Sequence, residues 1–132
     1  MSQSIARVDA VTGLVLQRGS DGEGLTLPSQ GDLFLLRTRV AGTHHHDAQA
    51  ALPSLALGVR LRLLREPANP HDDLAIAVQT VEGLRLGYVP RSENPVLARL
   101  MDGGKLLFAR VVTVAEDPAW PEIGVDVWMR EF

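Results

Sequence analysis

A chain of 132 residues with 45% apolar side chains fits one domain of ordinary size around a single core. It has no cysteine, which excludes disulfides, thiolate zinc sites and cysteine nucleophiles, and no apolar run nears the roughly 20 residues of a membrane helix. Its net charge of −3 lacks the chain-wide basic signature of many nucleic-acid binders, although a small local patch is compatible with an acidic chain.

In chain order, the start MSQSIARVDAV has no basic stretch followed by a long apolar block, so no secretory signal is visible and a cytoplasmic protein is expected. Residues 1–32 hold two modest apolar stretches, VTGLVLQ and GLTLP, around the turn-forming RGSDGEG. They read as an extension, either a hairpin or an arm. The segment LFLLRTRVA (33–41) alternates as a strand, with Phe34, Leu36, Thr38 and Val40 opposite Leu33, Leu35, Arg37 and Arg39. A short helix is expected within DAQAALPSLALG (47–58), broken or restarted at Pro53.

Further strands are predicted at GVRLRLLRE (58–66), LAIAVQT (74–80) and GLRLGYV (83–89), the last two joined as a hairpin. Gly87 inside the third of these suggests a bulge or a close backbone approach. A helix follows in SENPVLARLMDGG (92–104), with Asn94 as N-cap, Pro95 at the first helical position and glycines at the end. KLLFARVVTVA (105–115) and EIGVDVWMR (122–130) complete the set, the latter alternating Ile123, Val125, Val127 and Met129. Five to seven short strands with two small helices point to a small β-barrel or a β-rich mixed domain.

Three motifs carry chemical interest. The run THHH invites a metal, but neighbours in a strand face opposite ways, so His44 and His46 alone would share one, with His71 or Asp72 completing the set. Loop or strand-end histidines with no metal are the favoured reading of the run. No GxSxG elbow marks a serine nucleophile, and nothing singles out Ser54 or Ser92. REPANPHDD (65–73) has the composition of a tight inter-strand loop, with Pro67 and Pro70 fixing φ and Asn69 and Asp72 suited to side-chain to backbone hydrogen bonds. In GLRLGYVPR, Arg91 just before a helix start suits a phosphate, although an arginine there is common.

The order of VAGTHHH, GVRLRLLREPANPHDDLAIAV and GLRLGYVPRSENPVLARL, with a β-rich end holding Trp120, resembles the HIRAN domain family. The resemblance runs from about residue 33 to 130, and the pairing of REPxNPxD with LGYVPR is specific. It implies a modified OB-like β-barrel with two short helices over 33–132. It also implies a non-enzymatic module that captures single-stranded DNA at its 3′-hydroxyl end, in DNA repair or the processing of stalled replication intermediates. A helicase or nuclease would be its protein partner, and no cofactor, metal, membrane or small-molecule substrate is implied.

Carried over by position, Asn69 and Asp72 match the loop groups that read the terminal nucleotide. His71 and His45 stand where the family has aromatics around the base, and His44 stands where it has an arginine. Tyr88 occupies a pocket position, Arg91 matches a phosphate-contacting lysine, and Trp120 falls near a late stacking aromatic. A 3′-hydroxyl can donate to Asp72, whereas a 3′-phosphate brings only repulsion. Histidine offers a smaller and more polar face than tyrosine. If protonated histidines hold phosphate, binding should strengthen below about pH 6.5. The alternative reading, motivated by the acidic balance and the missing aromatic pair, is a protein-interaction or targeting module with the same barrel and little DNA affinity.

Overall fold

The computed structural model describes residues 31–115 and 120–130, and the possible hairpin or arm within 1–32 lies outside them except for its last two residues. The described residues form six strands: β1 (Asp32–Arg39), β2 (Arg60–Arg65), β3 (Ile76–Thr80), β4 (Arg85–Tyr88), β5 (Leu106–Ala115) and β6 (Glu122–Arg130). They form one sheet in the order β1-β6-β5-β2-β3-β4. The predicted helices are α1 (Ala48–Ala51), continued by a 3-10 turn at Leu52–Ser54 that contains Pro53, and α2 (Asn94–Asp102).

Period-two alternation fixes which face of each strand turns inward. Leu61 and Leu63 of β2, Leu107, Ala109 and Val111 of β5, and Ile123, Val125 and Val127 of β6 join one core. Ile76 and Val78 of β3, Leu86 of β4, and Leu97 and Ala98 of α2 complete it. The clean face expected of β1 is realised in part: Leu36 packs partly buried against the core and Val40, just beyond the strand, is buried, whereas Phe34 is exposed and Leu35 of the opposite face also meets the core. Phe34 meets Trp128 edge-on, on the side away from the core.

Among the described residues the strand ladder is open, and an isolated bridge ties its two ends. Val40 N donates to Ile123 O of β6 at 2.9 Å. The next residue, Ala41, forms an antiparallel bridge with Tyr88 of β4, its N–H donating to Tyr88 O at 2.7 Å and its carbonyl accepting from Tyr88 N at 2.9 Å. One short stretch therefore holds both margins of the sheet and gives it the curl of an OB-like barrel.

Gly87 makes that closure possible. A Cβ on Gly87 would run into the Ala41 carbonyl oxygen and the Val40 side chain. The close approach expected from sequence is present, and so is an irregularity: Gly87 pairs with Val78 while Arg85 pairs with Gln79, leaving Leu86 extra. Gly87→Ala should lower stability by about 1–3 kcal/mol, the usual cost of overpacking a filled site. Urea unfolding measures this directly, and an unchanged midpoint would contradict the close-approach account.

Candidate functional site

The loop from Glu66 to Ala75 joins β2 to β3 and is closed at its base by Glu66 N donating to Ala75 O at 3.0 Å. Its interior is a series of tight turns: Asn69 N donates to Glu66 O at 3.0 Å, and Ala75 N donates to Asp72 O at 3.1 Å. Asn69 builds the middle of the loop. Its Oδ1 accepts from the backbone N–H of His71 at 2.8 Å and of Asp72 at 3.2 Å, while its Nδ2 donates to Glu66 Oε1 at 3.0 Å. This is the local side-chain to backbone bonding that the sequence led us to expect of the loop. Arg65 pins the loop from below, donating to Ala75 O at 2.9 Å and Asp73 O at 3.1 Å while forking onto both Asp102 carboxylate oxygens at 2.9 and 3.0 Å.

Asp72 is the fixed acid of the site. Its Oδ1 accepts from Leu74 N at 2.9 Å, and its Oδ2 accepts from Asn94 Nδ2 at 2.9 Å. The side chain is 19% exposed, and Arg91 Nε lies 3.5 Å from Oδ2. The Asn94 hydrogen bond, the Leu74 N–H and the nearby Arg91 and Arg65 charges, in that order, hold its pKa below the usual carboxylate value against the opposing effect of desolvation. Asp72 is thus an anion at neutral pH, with acceptor capacity beyond the two bonds it makes.

Asn94 therefore has a different role from the one expected. Helix α2 begins at Asn94 itself, its N-cap is Glu93, and no side chain caps it. The Asn94 side chain is buried and spent on Asp72 across the cleft floor. An asparagine before Pro95 satisfies the sequence pattern of a cap equally well, which is why the pattern alone misplaced its partner.

The histidine run is also not a strand. Gly42 has φ 73°, and Thr43–His45 form a 3-10 turn. The Thr43 hydroxyl donates to Pro121 O, and Asp47 N donates to Arg85 O at 2.8 Å, which fastens the turn on both sides. The rings form a row: Trp120 stacks on His44 at 3.8 Å, His44 lies 3.7 Å from His45, His45 meets His46 edge-on at 6.5 Å, and His46 lies 5.6 Å from Tyr88. Among the described residues, no group of three or more His, Asp or Glu is placed to hold a metal ion.

These pieces enclose a cleft of about 620 Å³. Of the candidate residues, His45, Asn69, His71, Asp72, Tyr88 and Arg91 line it, together with His46 and Asn94. His44 and Trp120 do not line it and stack on each other beside it. Arg91, with a 71% exposed side chain, donates to His71 O and lies beside Asp72, so it straddles the loop and the cleft.

Beneath the cleft, Tyr88 is locked in place. Its hydroxyl donates to Glu66 Oε1 at 2.8 Å and accepts from Arg85 Nη1 at 2.8 Å, and Arg85 Nη2 pairs with Glu66 Oε2 at 3.0 Å. Burial pushes the Tyr88 hydroxyl up, with the Glu66 hydrogen bond adding to the shift. Burial also works to raise Glu66, but the bonds from Asn69 and Tyr88 and the Arg85 charge outweigh it and leave the carboxyl below its usual value. His46 is lowered by burial first and then by the Arg85 and His45 charges. Glu66 and Arg85 were not singled out from sequence, and His46 was considered only as a metal ligand; Glu66 and Arg85 lie inside the two quoted motifs, but no spacing there reveals their ion pair.

Fold and cleft together define a small OB-like β-domain with its site at the meeting of the β2–β3 loop, β4 and the start of α2. The chain belongs to the HIRAN domain family, whose family model matches residues 33–131. It is similar to a crystal structure of a Lactobacillus plantarum protein, at 31% identity over 76% of this chain and 97% of that one, with a TM-score of 0.71. It is also similar in fold to the crystal structure of the HIRAN domain of human HLTF, at 23% identity over 78% of this chain and 84% of that one, TM-score 0.58. The NMR structure of the HLTF HIRAN domain in its DNA-bound conformation matches at 24% identity over 75% of each chain, TM-score 0.51. No curated protein matches significantly.

Because the pKa values of Asp72 and Glu66 are depressed in the fold, their contribution to stability is present above the ordinary values of 3.8 and 4.5. It is lost as pH falls through the lower folded values. Asp72→Asn should therefore lose less stability than wild type on acidification from about pH 5 to about pH 2.5. Urea midpoints across that series measure it, and parallel curves for the two proteins would contradict the assignment.

Proposed function

We propose that residues 33–132 form a nucleic-acid-binding module that captures the 3′-hydroxyl end of single-stranded DNA in the cleft, with residues 1–32 as an extension. The observation that carries this reading is the fixed, anionic Asp72 in a cleft lined by His45, His71 and Tyr88. A terminal hydroxyl is a donor that such a carboxylate can accept, whereas a terminal phosphate is repelled. The imidazole faces of His45 and His71 would hold the last base without reading its identity. Arg91 would turn part of its guanidinium to the adjacent phosphate. The DNA-bound structure of the human HLTF domain supports nucleic acid as the ligand class.

Asn69 has a supporting part in this reading, because its oxygen already holds two loop N–H groups. His44 and Trp120 would meet the chain beyond the last nucleotide. The module would bind and position an end, with a helicase or nuclease supplying chemistry, in the cytoplasm and in the repair or processing of stalled replication intermediates.

Fluorescence anisotropy with matched 3′-hydroxyl and 3′-phosphate oligonucleotides tests the reading. The hydroxyl end should bind roughly tenfold tighter or better, because a hydrogen bond to a charged group contributes about 1.5–3 kcal/mol. Equal binding of both, or binding of neither, would overturn end capture.

A further inference from the structure

Directly opposed residues in antiparallel strands share a face. Leu61, Ala109 and Val127 form one such row and are buried in the core. The neighbouring rows consequently lie on the other side of the sheet. One row sets Arg62 opposite Phe108 and Phe108 opposite Trp128. The next sets Arg60 opposite Arg110, and Arg130 stands opposite Leu106 at the far end.

The side chains of this face converge on Phe108. The Arg60 guanidinium carbon lies 3.9 Å above its ring centre, and those of Arg110 and Arg130 lie 5.6 and 5.8 Å away. Phe108 is thereby covered, with 8% exposure, yet it is no member of the core cluster. Arg60 and Arg62 are exposed. Asp126, an acid of this face opposite Arg110, is gripped by Arg37 at 2.6 and 3.0 Å. A chain of net charge −3 thus gathers arginines around one aromatic on a face formed by three neighbouring strands.

We propose that this outer face of β2, β5 and β6 is a second binding surface, for the interior of a single-stranded nucleic acid. A guanidinium laid flat on a ring is held in plane, with its edge N–H groups directed sideways where phosphate oxygens can be bridged. Its upper plane is a platform on which unpaired bases stack. Charge selects a polyanion, and the stacking plane selects one with flat bases over an acidic peptide. The surface needs no chain end, so it is independent of the cleft reading.

Covalently closed circular single-stranded DNA is the discriminating probe because it has no 3′ end. The full chain should bind the circle at low salt, and Arg60→Ala/Arg62→Ala should weaken that binding at least tenfold. Each phosphate neutralised on a single strand contributes roughly 0.7 to the slope of log K against log salt, so removing two arginines should flatten that slope by about 1.4. Arg62→Glu leaves the Arg60–Phe108 stack in place and should weaken the circle as well, which guards against a loss of folding. Binding of a 3′-hydroxyl trinucleotide should be unaffected. No binding of the circle, or equal binding by all variants, would overturn the proposal. So would displacement by poly-glutamate as effective as that by unlabelled single strand at equal charge.

Discussion

The bridge between Ala41 and Tyr88 is the constraint on which the site depends. Two backbone hydrogen bonds, 2.7 and 2.9 Å long, join the end of β1 to β4 at opposite margins of the sheet. On one side of the bridge the chain turns at once into the histidine run. On the other lies Tyr88, whose hydroxyl is tied to Glu66 at the base of the β2–β3 loop. A backbone contact this close excludes a side chain beneath it, so the position of Gly87 follows from the site's geometry. Without the bridge, the rings of the histidine turn and the carboxylate of the loop would belong to separate parts of the sheet.

Electrostatically, the cleft is built so that an acid remains charged without being neutralised. Asp72 is held chiefly by a neutral amide and a backbone N–H, with Arg91 at the longer distance of 3.5 Å. Neutral donors fix the position of a carboxylate and favour its ionised form while leaving its net charge in place. Glu66 below is treated oppositely, paired closely with Arg85 and bonded to Tyr88 and Asn69. One acid keeps acceptor capacity toward the cleft and the other is engaged in holding the walls. The same economy separates Asn69, which builds the loop, from Asp72, which faces the cleft.

The two faces of the sheet show how far the sequence reaches. Alternation identified the strands because each side of a half-buried strand answers to a different medium, and Leu61 and Leu63 against Arg60 and Arg62 could be read directly. The partner of Arg60 could not be read, since Phe108 sits on another strand and the register between strands is set by packing across the whole sheet. Likewise the glycine at 87 signalled a close approach, but the identity of the approaching residue, Ala41, required the curl. Asn94 looked like a cap because cap preference and buried amide anchoring favour the same residue type. The histidine run, left open between loop and strand end, is a 3-10 turn after a left-handed Gly42, a local choice that three adjacent histidines do not encode. The motif residues themselves were legible through their family pattern, and the ion pair that supports them was not.

The claim that the cleft receives a nucleic-acid end is tested most directly by following the side-chain amides of Asn94 and Asn69 and the histidine rings by NMR during titration with a 3′-hydroxyl trinucleotide. Asn94 reports on the Asp72 carboxylate through its 2.9 Å hydrogen bond, and Asn69 reports on the loop that carries it. The account requires saturable shifts of the Asn94 amide together with the His45 and His71 rings, at a common dissociation constant. Shifts confined to residues outside the cleft, with the Asn94 amide unmoved at saturation, would contradict it.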